Sequence, residues 1–157
     1  MPVNNDEFRG ALGRFASSVS VVTSKCKDGE LRGITVSAFS SLSLNPPLIL
    51  VCIDNRSSMI ENLTEGCTFA VNILGEDQEI HSRRFASKDP NRFEGVGYRE
   101  GILGSPLLDN ALATLECKVV NNYAGGDHTI VVGEVEAVSL TDDKPLLYFR
   151  GGYAKLA

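Results

Sequence analysis

LATLECKVVNNYAGGDHTIVVGEVEAVSL, residues 112–140, reads as two long strands, 112–123 and 129–140, on either side of the turn Ala124-Gly125-Gly126-Asp127. Nearer the N-terminus, the β-branched run from Ser18 alternates Val19, Val21 and Thr23 with Ser20, Val22 and Ser24. Asp28-Gly29 then supplies a hairpin turn into a return strand over 31–37. A strand over 42–44 follows, and after Pro46-Pro47 the apolar run 48–53 reads as a strand buried on both faces. Further strands are expected over 67–74 and 146–150, with turn residues over 95–106.

Helices are few. Phe8, Ala11, Leu12 and Phe15 fall at i, i+3, i+4 and i+7, which predicts a helix capped by Asn5 that lays its apolar stripe on a sheet. A short helix over 56–65 would carry Met59, Ile60 and Leu63 and close at Gly66, and 76–93 reads as a helix plus loop. Six or seven strands with so few helices, badly placed for regular crossovers, predict a mainly β fold, an antiparallel β-barrel with a few peripheral helices. No G-x-G-x-x-G joins a strand to a helix, so a doubly wound dinucleotide sheet is not expected. With no linker, internal repeat or low-complexity tract, residues 1–157 read as a single domain.

Composition narrows the function classes. A net charge of −5 argues against nucleic acid, whose phosphates need a basic face. No apolar run is long enough to cross a bilayer, and the polar, acidic start of the chain carries no secretory signal, so a soluble cytoplasmic protein is expected, with no membrane partner. Cys26, Cys52, Cys67 and Cys117 stand far apart, outside any C-x-x-C pair, and read as free thiols. The basic cluster Arg83, Arg84, Lys88 and Arg92 reads as a solvated surface stretch.

Three stretches could carry chemistry. Residues 33–43 put five hydroxyl groups within nine positions at the end of a strand, either an ordinary Ser/Thr-rich turn or a set of donors for a phosphate. Asp54-Asn55-Arg56-Ser57-Ser58 follows a buried strand, and Asn55 as the cap of the 56–65 helix would put anion-attracting amides beside an arginine and two serines. Gly126-Asp127-His128-Thr129 places one of two histidines next to glycines that permit close approach to the backbone; the other, His81, reads as structural or exposed. Two histidines without metal-ligand spacing make no metal site, no G-x-S-x-G elbow occurs, and no carboxylate pair is flanked for acid/base work. An organic cofactor carrying its own reactivity suits such a sequence.

With those stretches in view, the chain resembles the short-chain flavin reductase family, the reductase components of two-component flavin-dependent monooxygenases. The resemblance rests on FRGALGRFA at 8–16, SVSVVT at 18–23, GITVSAF at 33–39, SLSLNPP at 41–47, FAVNIL at 69–74, GDHT at 126–129 and PLLYFRGGY at 145–153. It implies an FMN-binding split β-barrel that forms a homodimer, with FMN or FAD in a groove near the subunit interface and NADH or NADPH as co-substrate. By the resemblance, Thr35, Val36, Ser37 and Ala38 line the isoalloxazine and ribityl chain, with Ser41 and Ser43 on the ribityl-phosphate side. Cys52, Asp54, Asn55, Ser57 and Ser58 would hold the polar tail, and Phe85, Ala86 and Ser87 would form a loop near the cofactor. His128 and Tyr153 fall at positions beside the nicotinamide, which makes His128 the candidate catalytic residue.

The implied function is an NAD(P)H-dependent flavin reductase that supplies reduced flavin to a partner monooxygenase or another acceptor. A flavoprotein that keeps its FMN, or a flavin-binding barrel without turnover, are the alternatives. The sequence ends at Ala157, soon after Tyr153, whereas members of the family it resembles often continue, which leaves open the contacts a longer tail could make with the nicotinamide dinucleotide.

Overall fold

The computed structural model describes residues 2–157 and is mainly β. Its longest strands are β9 (Ala113–Gly125) and β10 (His128–Leu140), an antiparallel hairpin turning through Gly126-Asp127. They occupy the interior of a seven-stranded sheet with β2 (Ser20–Lys25), β3 (Leu31–Val36), β4 (Phe39–Ser43), β5 (Leu48–Asp54) and β6 (Thr68–Ile73). The order is β3-β2-β6-β9-β10-β5-β4, and every neighbouring pair is antiparallel. A three-stranded sheet joins β1 (Ser17–Ser18), β11 (Leu146–Phe149) and β12 (Gly152–Lys155), and β7 (Tyr98–Glu100) pairs with β8 (Pro106–Leu108). Among the described residues there are two α-helices, α1 (Asn5–Leu12) and α2 (Glu79–Ala86). No helix among the described residues is long and apolar enough to cross a membrane.

Two apolar clusters hold these layers. On one side of the large sheet Val22, Val51, Ile53, Leu63, Phe69, Val71 and Val131 pack together. On the other side of β2, Val19, Val21, Leu74, Phe85, Leu108 and Leu146 form a second cluster, covered by α2, β8 and β11. Strand β2 is therefore buried on both faces, and its hydroxyl positions Ser20, Thr23 and Ser24 are buried with its valines. Register shifts at Val132/Gly133 and Val135/Ala137 mark two β-bulges in the β9–β10 ladder, the first with Val120 of β9 as the extra residue and the second with Glu136 of β10. At the first, a Cβ on Gly133 would lie 2.6 Å from the Phe69 ring, so only glycine lets that buried ring press on the backbone.

Several expectations need correction. The predicted α1 forms, but its cap is Asn4, which exchanges hydrogen bonds with Glu7 in a capping box. Its apolar stripe lies on no sheet: Phe8, Leu12 and Phe15 are 60%, 53% and 75% exposed. The run 48–53 does not hide both faces, because β5 alternates buried and half-buried positions. The helix expected over 56–65 is absent apart from one 3-10 turn at Ile60–Asn62, since the Asp54 carboxylate draws the following backbone into a tight turn. The strand expected at 42–44 is centred earlier, in β4. Strands β7, β8 and β12 were not signalled; each is only three or four residues long, too short for periodicity to register.

The β7–β8 pair is fastened to the sheet by one buried amide. Asn72 is fully buried; its Nδ2 donates to the Val21 carbonyl at 3.0 Å and the Thr23 hydroxyl at 3.0 Å, and its Oδ1 accepts from the Leu108 amide at 2.9 Å. Thr23 in turn donates to the Pro106 carbonyl at 2.6 Å. Replacing Asn72 with leucine leaves buried partners unpaired, so Asn72→Leu should lower unfolding stability by about 2–3 kcal/mol, read as a shift in the urea midpoint. An unchanged midpoint would show that the amide network holds nothing.

Candidate functional site

The expected site residues lie in three neighbouring groups, each built on strand ends. The first is the crossover from β3 to β4. Thr35 donates its hydroxyl to the Ser82 carbonyl at 2.6 Å, and Val36 turns its side chain into the inner apolar cluster, leaving only its backbone to a ligand. Ser37 and Ala38 are exposed at the bend itself, where the Ala38 carbonyl accepts the Cys52 amide at 3.0 Å. Cys52, half-buried on β5, thus backs this bend. Ser41 is exposed and Ser43 half-buried across a register shift between β4 and β5. The hydroxyls of Ser37 and Ser41 donate to no protein group among the described residues, and they are free for a ligand.

The second group joins the end of β5 to the β9–β10 turn. His128 stands opposite Asp54 in the ladder, and the Asn55 amide donates to the Asp127 carbonyl at 3.0 Å while Thr129 donates to Asn55 Oδ1 at 2.6 Å. Asp54 accepts the Arg56 guanidinium at both oxygens, at 3.1 and 2.8 Å, and the Arg56 amide at 2.8 Å. Those hydrogen bonds, side chain first, hold the Asp54 carboxyl well below the usual carboxylate range. Asn55 therefore caps no helix, and Arg56 neutralises Asp54 rather than standing free for an anion. Ser57 turns inward, accepting the Met59 amide at 3.2 Å, whereas Ser58 is exposed. His128 Nδ1 lies 2.7 Å from Asp127 Oδ1; a carboxylate only accepts, so Nδ1 carries the proton and Nε2 is presented outward.

The third group is the face of α2 against β3 and β12. Ser82 is fully buried, with its hydroxyl 2.6 Å from the Tyr153 hydroxyl, and the Arg83 guanidinium lies 4.8 Å from the centre of the Tyr153 ring. Tyr148 packs edge-on to Tyr153 at 5.4 Å. One residue, Ser82, thus connects Thr35 with Tyr153, a link that nothing in its sequence context announces. Phe85, Ala86 and Ser87 do not form a loop. Phe85 is in the last turn of α2, buried against Gly33, where a Cβ would lie 2.7 Å from its ring. Ala86 is exposed beside it, and Ser87 ends the helix by donating to the Arg84 carbonyl at 2.6 Å. Burial, with Arg84 nearby, moves His81 below its ordinary range, toward the neutral form.

His128 and Tyr153 fall in different groups, and among the described residues no hydrogen bond or ring contact joins them within one chain. The basic cluster is not merely solvated. Arg84 donates to the carbonyls of Asn91, Arg92 and Glu94 at 3.0, 2.6 and 2.6 Å, and Arg92 donates to the Gly33 carbonyl at 2.8 Å. These bonds fix the 88–94 loop against β3 and bound a cavity of about 440 Å³ that reaches from Ser58 to Lys88. All four cysteines are free; Cys117 is buried, and desolvation pushes its thiol up to about 12.

Known proteins are similar to this chain in sequence and backbone. Residues 12–157 match the flavin reductase like domain family. An NADH-dependent flavin reductase of a Rhodococcus species is 43% identical over 153 residues, covering 95% of this chain and 85% of its own length. The reductase component of 4-hydroxyphenylacetate 3-monooxygenase from Thermus thermophilus is 41% identical, covering 96% of each chain. Among solved structures, the NADH:FAD oxidoreductase SgcE6 of Streptomyces globisporus C-1027, in complex with NAD and FAD fragments, superposes with a TM-score of 0.94 at 36% identity over 100% of this chain and 95% of that one. The flavin reductase PheA2 in its native state gives a TM-score of 0.91 at 40% identity, covering 99% of each chain. With an end-to-end match in sequence and in backbone, this chain belongs to the flavin reductase like family.

Proposed function

We propose that this chain is an NAD(P)H-dependent flavin reductase, a single domain over residues 1–157, that supplies reduced FMN or FAD to a flavin-dependent monooxygenase. The observation that carries the reading is the match of nearly the whole chain to flavin reductases and monooxygenase reductase components at about 40% identity. The residues present fit a flavin: Ser37, Ala38 and Ser41 are exposed at the β3–β4 crossover, the hydroxyls of Ser37 and Ser41 make no hydrogen bond among the described residues, and the half-buried Cys52 backs the bend.

When bound, the flavin supplies the redox chemistry, taking a hydride equivalent from the reduced nicotinamide. The chain's own residues have a simpler task, which is to hold two flat rings close and aligned. In this reading Thr35, Ser37 and Ala38 bind the ring side and Ser41 and Ser43 the ribityl side. Cys52, Asp54, Asn55, Ser57 and Ser58 shape the tail end, with Asp54, Asn55 and Ser57 acting through the turn they build. The Asp127 carboxylate fixes the His128 ring so that Nε2 meets the nicotinamide or its ribose. Tyr153, held by Ser82 and Arg83, supplies the other wall.

Two finer points of architecture belong to the same proposal. Strands β3 and β4, the two edges of the large sheet, are consecutive and joined by Ser37-Ala38, which favours reading the sheet as a split barrel. The uncovered stripe Phe8, Leu12 and Phe15 lies next to the β11–β12 turn, because the Arg150 amide donates to the Gly13 carbonyl at 2.7 Å, and Phe149 beside it is also exposed. A second copy of the chain covering that apolar surface would make the homodimer and complete the groove.

Under anaerobic conditions, catalytic amounts of the protein should bleach the oxidised absorption band of excess FMN or FAD with NADH or NADPH and no added metal. Failure with all four pairings would overturn the assignment. His128→Ala should lower kcat/KM for the nicotinamide cofactor about tenfold to a hundredfold, roughly 1.4–2.7 kcal/mol, with flavin affinity unchanged and with Asn at the same position recovering part of the loss. Steady-state kinetics that match the unmutated protein would return His128 to a surface role.

Sedimentation velocity at micromolar concentration should give a two-chain species, and Leu12→Glu with Phe15→Glu should convert it to one chain without loss of secondary structure. A fully active single-chain species before mutation would rule the dimer out.

A further inference from the structure

We infer that the cavity between β3 and the 88–94 loop seats the adenosine diphosphate half of a dinucleotide flavin, so that this chain prefers FAD to FMN. The inference deepens the flavin reductase reading and rests on it.

Position is the first argument. The cavity measures about 440 Å³, within the roughly 300–1,000 Å³ of small-molecule sites, and Ser58 forms part of its wall. Ser58 ends the turn assigned above to the flavin's polar tail, so a ligand that continues past that tail enters this space. FMN ends at its phosphate and would leave the cavity to water.

Preorganisation is the second. Three carbonyls of the loop are held by the Arg84 guanidinium, Arg92 ties the loop to Gly33, and Asp89 Oδ1 accepts the Asn91 amide at 2.8 Å. A wall fixed before binding adds little ordering cost when a ligand arrives.

The chemistry of the lining is the third. Arg32 lines the cavity, and its Nε is buried with no acceptor among the described residues, a standing penalty that a phosphate oxygen would relieve. Lys88 forms no ion pair among the described residues, so its ammonium is available to the same phosphate. Glu30, which pairs with Arg32 Nη2 at 3.3 Å and leaves its Nε unmatched, stands in the same lining with Asp89 and Glu94, and the three carboxylates would repel a bare phosphate. They suit adenosine, whose ribose hydroxyls and exocyclic amine are donors that need acceptors. Phe93, fixed edge-on between Phe85 and Tyr98, gives an apolar wall for the base. Cations, carboxylates and an aromatic in one cavity match a nucleotide better than an inorganic anion.

Nicotinamide dinucleotides carry the same adenosine diphosphate group, so the test must separate the two sources. Titration of flavin fluorescence should give a Kd for FAD at least about tenfold below that for FMN. Adenosine 5′-diphosphate should displace FAD and leave bound FMN in place. Lys88→Glu should weaken FAD by about tenfold while FMN binding and the melting temperature stay unchanged. Equal affinities for the two flavins, or equal losses for both in Lys88→Glu, would overturn the inference while the reductase reading stands. A Lys88→Glu protein with a raised KM for NADH and an unaltered FAD Kd would also overturn it, moving the group to the nicotinamide cofactor. Absence of flavin binding and of turnover altogether would overturn the reductase reading and this inference with it.

Discussion

The pairing of β10 with β9 on one side and β5 on the other sets the geometry of everything else. Strand β10 runs 13 residues between them, and its ladder with β5 begins at His128 opposite Asp54. Antiparallel pairing has a period of two, so a slip by one residue would turn every side chain of β10 to the wrong face. The buried Val131 and the close seat of Phe69 on Gly133 forbid that slip. Register in the core therefore delivers His128 and Thr129 to the Asp54–Ser58 turn, and the Thr129–Asn55 bond closes the junction. What looks like a flexible glycine turn is placed by packing several residues away.

A second constraint acts through carbonyl groups. A loop without regular structure leaves its carbonyls unpaired, and here arginines take them in hand. Arg84 holds three of them, and Arg92 donates to the Gly33 carbonyl of β3, so the 88–94 loop is tied to α2 and β3 although it contains no regular structure. Ser82 does the same at shorter range, accepting Thr35 at its carbonyl and meeting Tyr153 at its hydroxyl. Helix α2 is thus an anchor for the site more than a cover for the core, although Phe85 performs that second duty.

Much of this was legible in the sequence. The β9–β10 hairpin and the β2–β3 hairpin were readable because long β-branched runs meet glycine turns, and the antiparallel character followed from them. Strands β7, β8 and β12 were not, because tertiary partners, such as Asn72 for β8, hold segments too short to declare a period. The 56–65 helix failed for a local reason: apolar spacing at Met59, Ile60 and Leu63 imitates a helix, while the Asp54 carboxylate binding the Arg56 amide commits the backbone to a turn first. Among the candidate residues, the hydroxyls at the β3–β4 bend were visible as composition. The partners that decide which of them are free, above all Ser82 for Thr35, lie 47 positions away and leave no mark in the local pattern.

His128 and Tyr153 make no direct contact among the described residues, and the chemistry of hydride transfer does not require one. A hydride passes only between rings held face to face at contact distance, so a reductase needs two walls and has little use for a nucleophile or an acid/base pair. The two residues proposed for those walls stand on different supports: His128 on the β9–β10 tip against β5, Tyr153 on β12 against α2. The first support is set by sheet register and the second by the buried Ser82. In the proposed reading, the alignment of two rings between them would come from these supports rather than from direct contact of His128 with Tyr153.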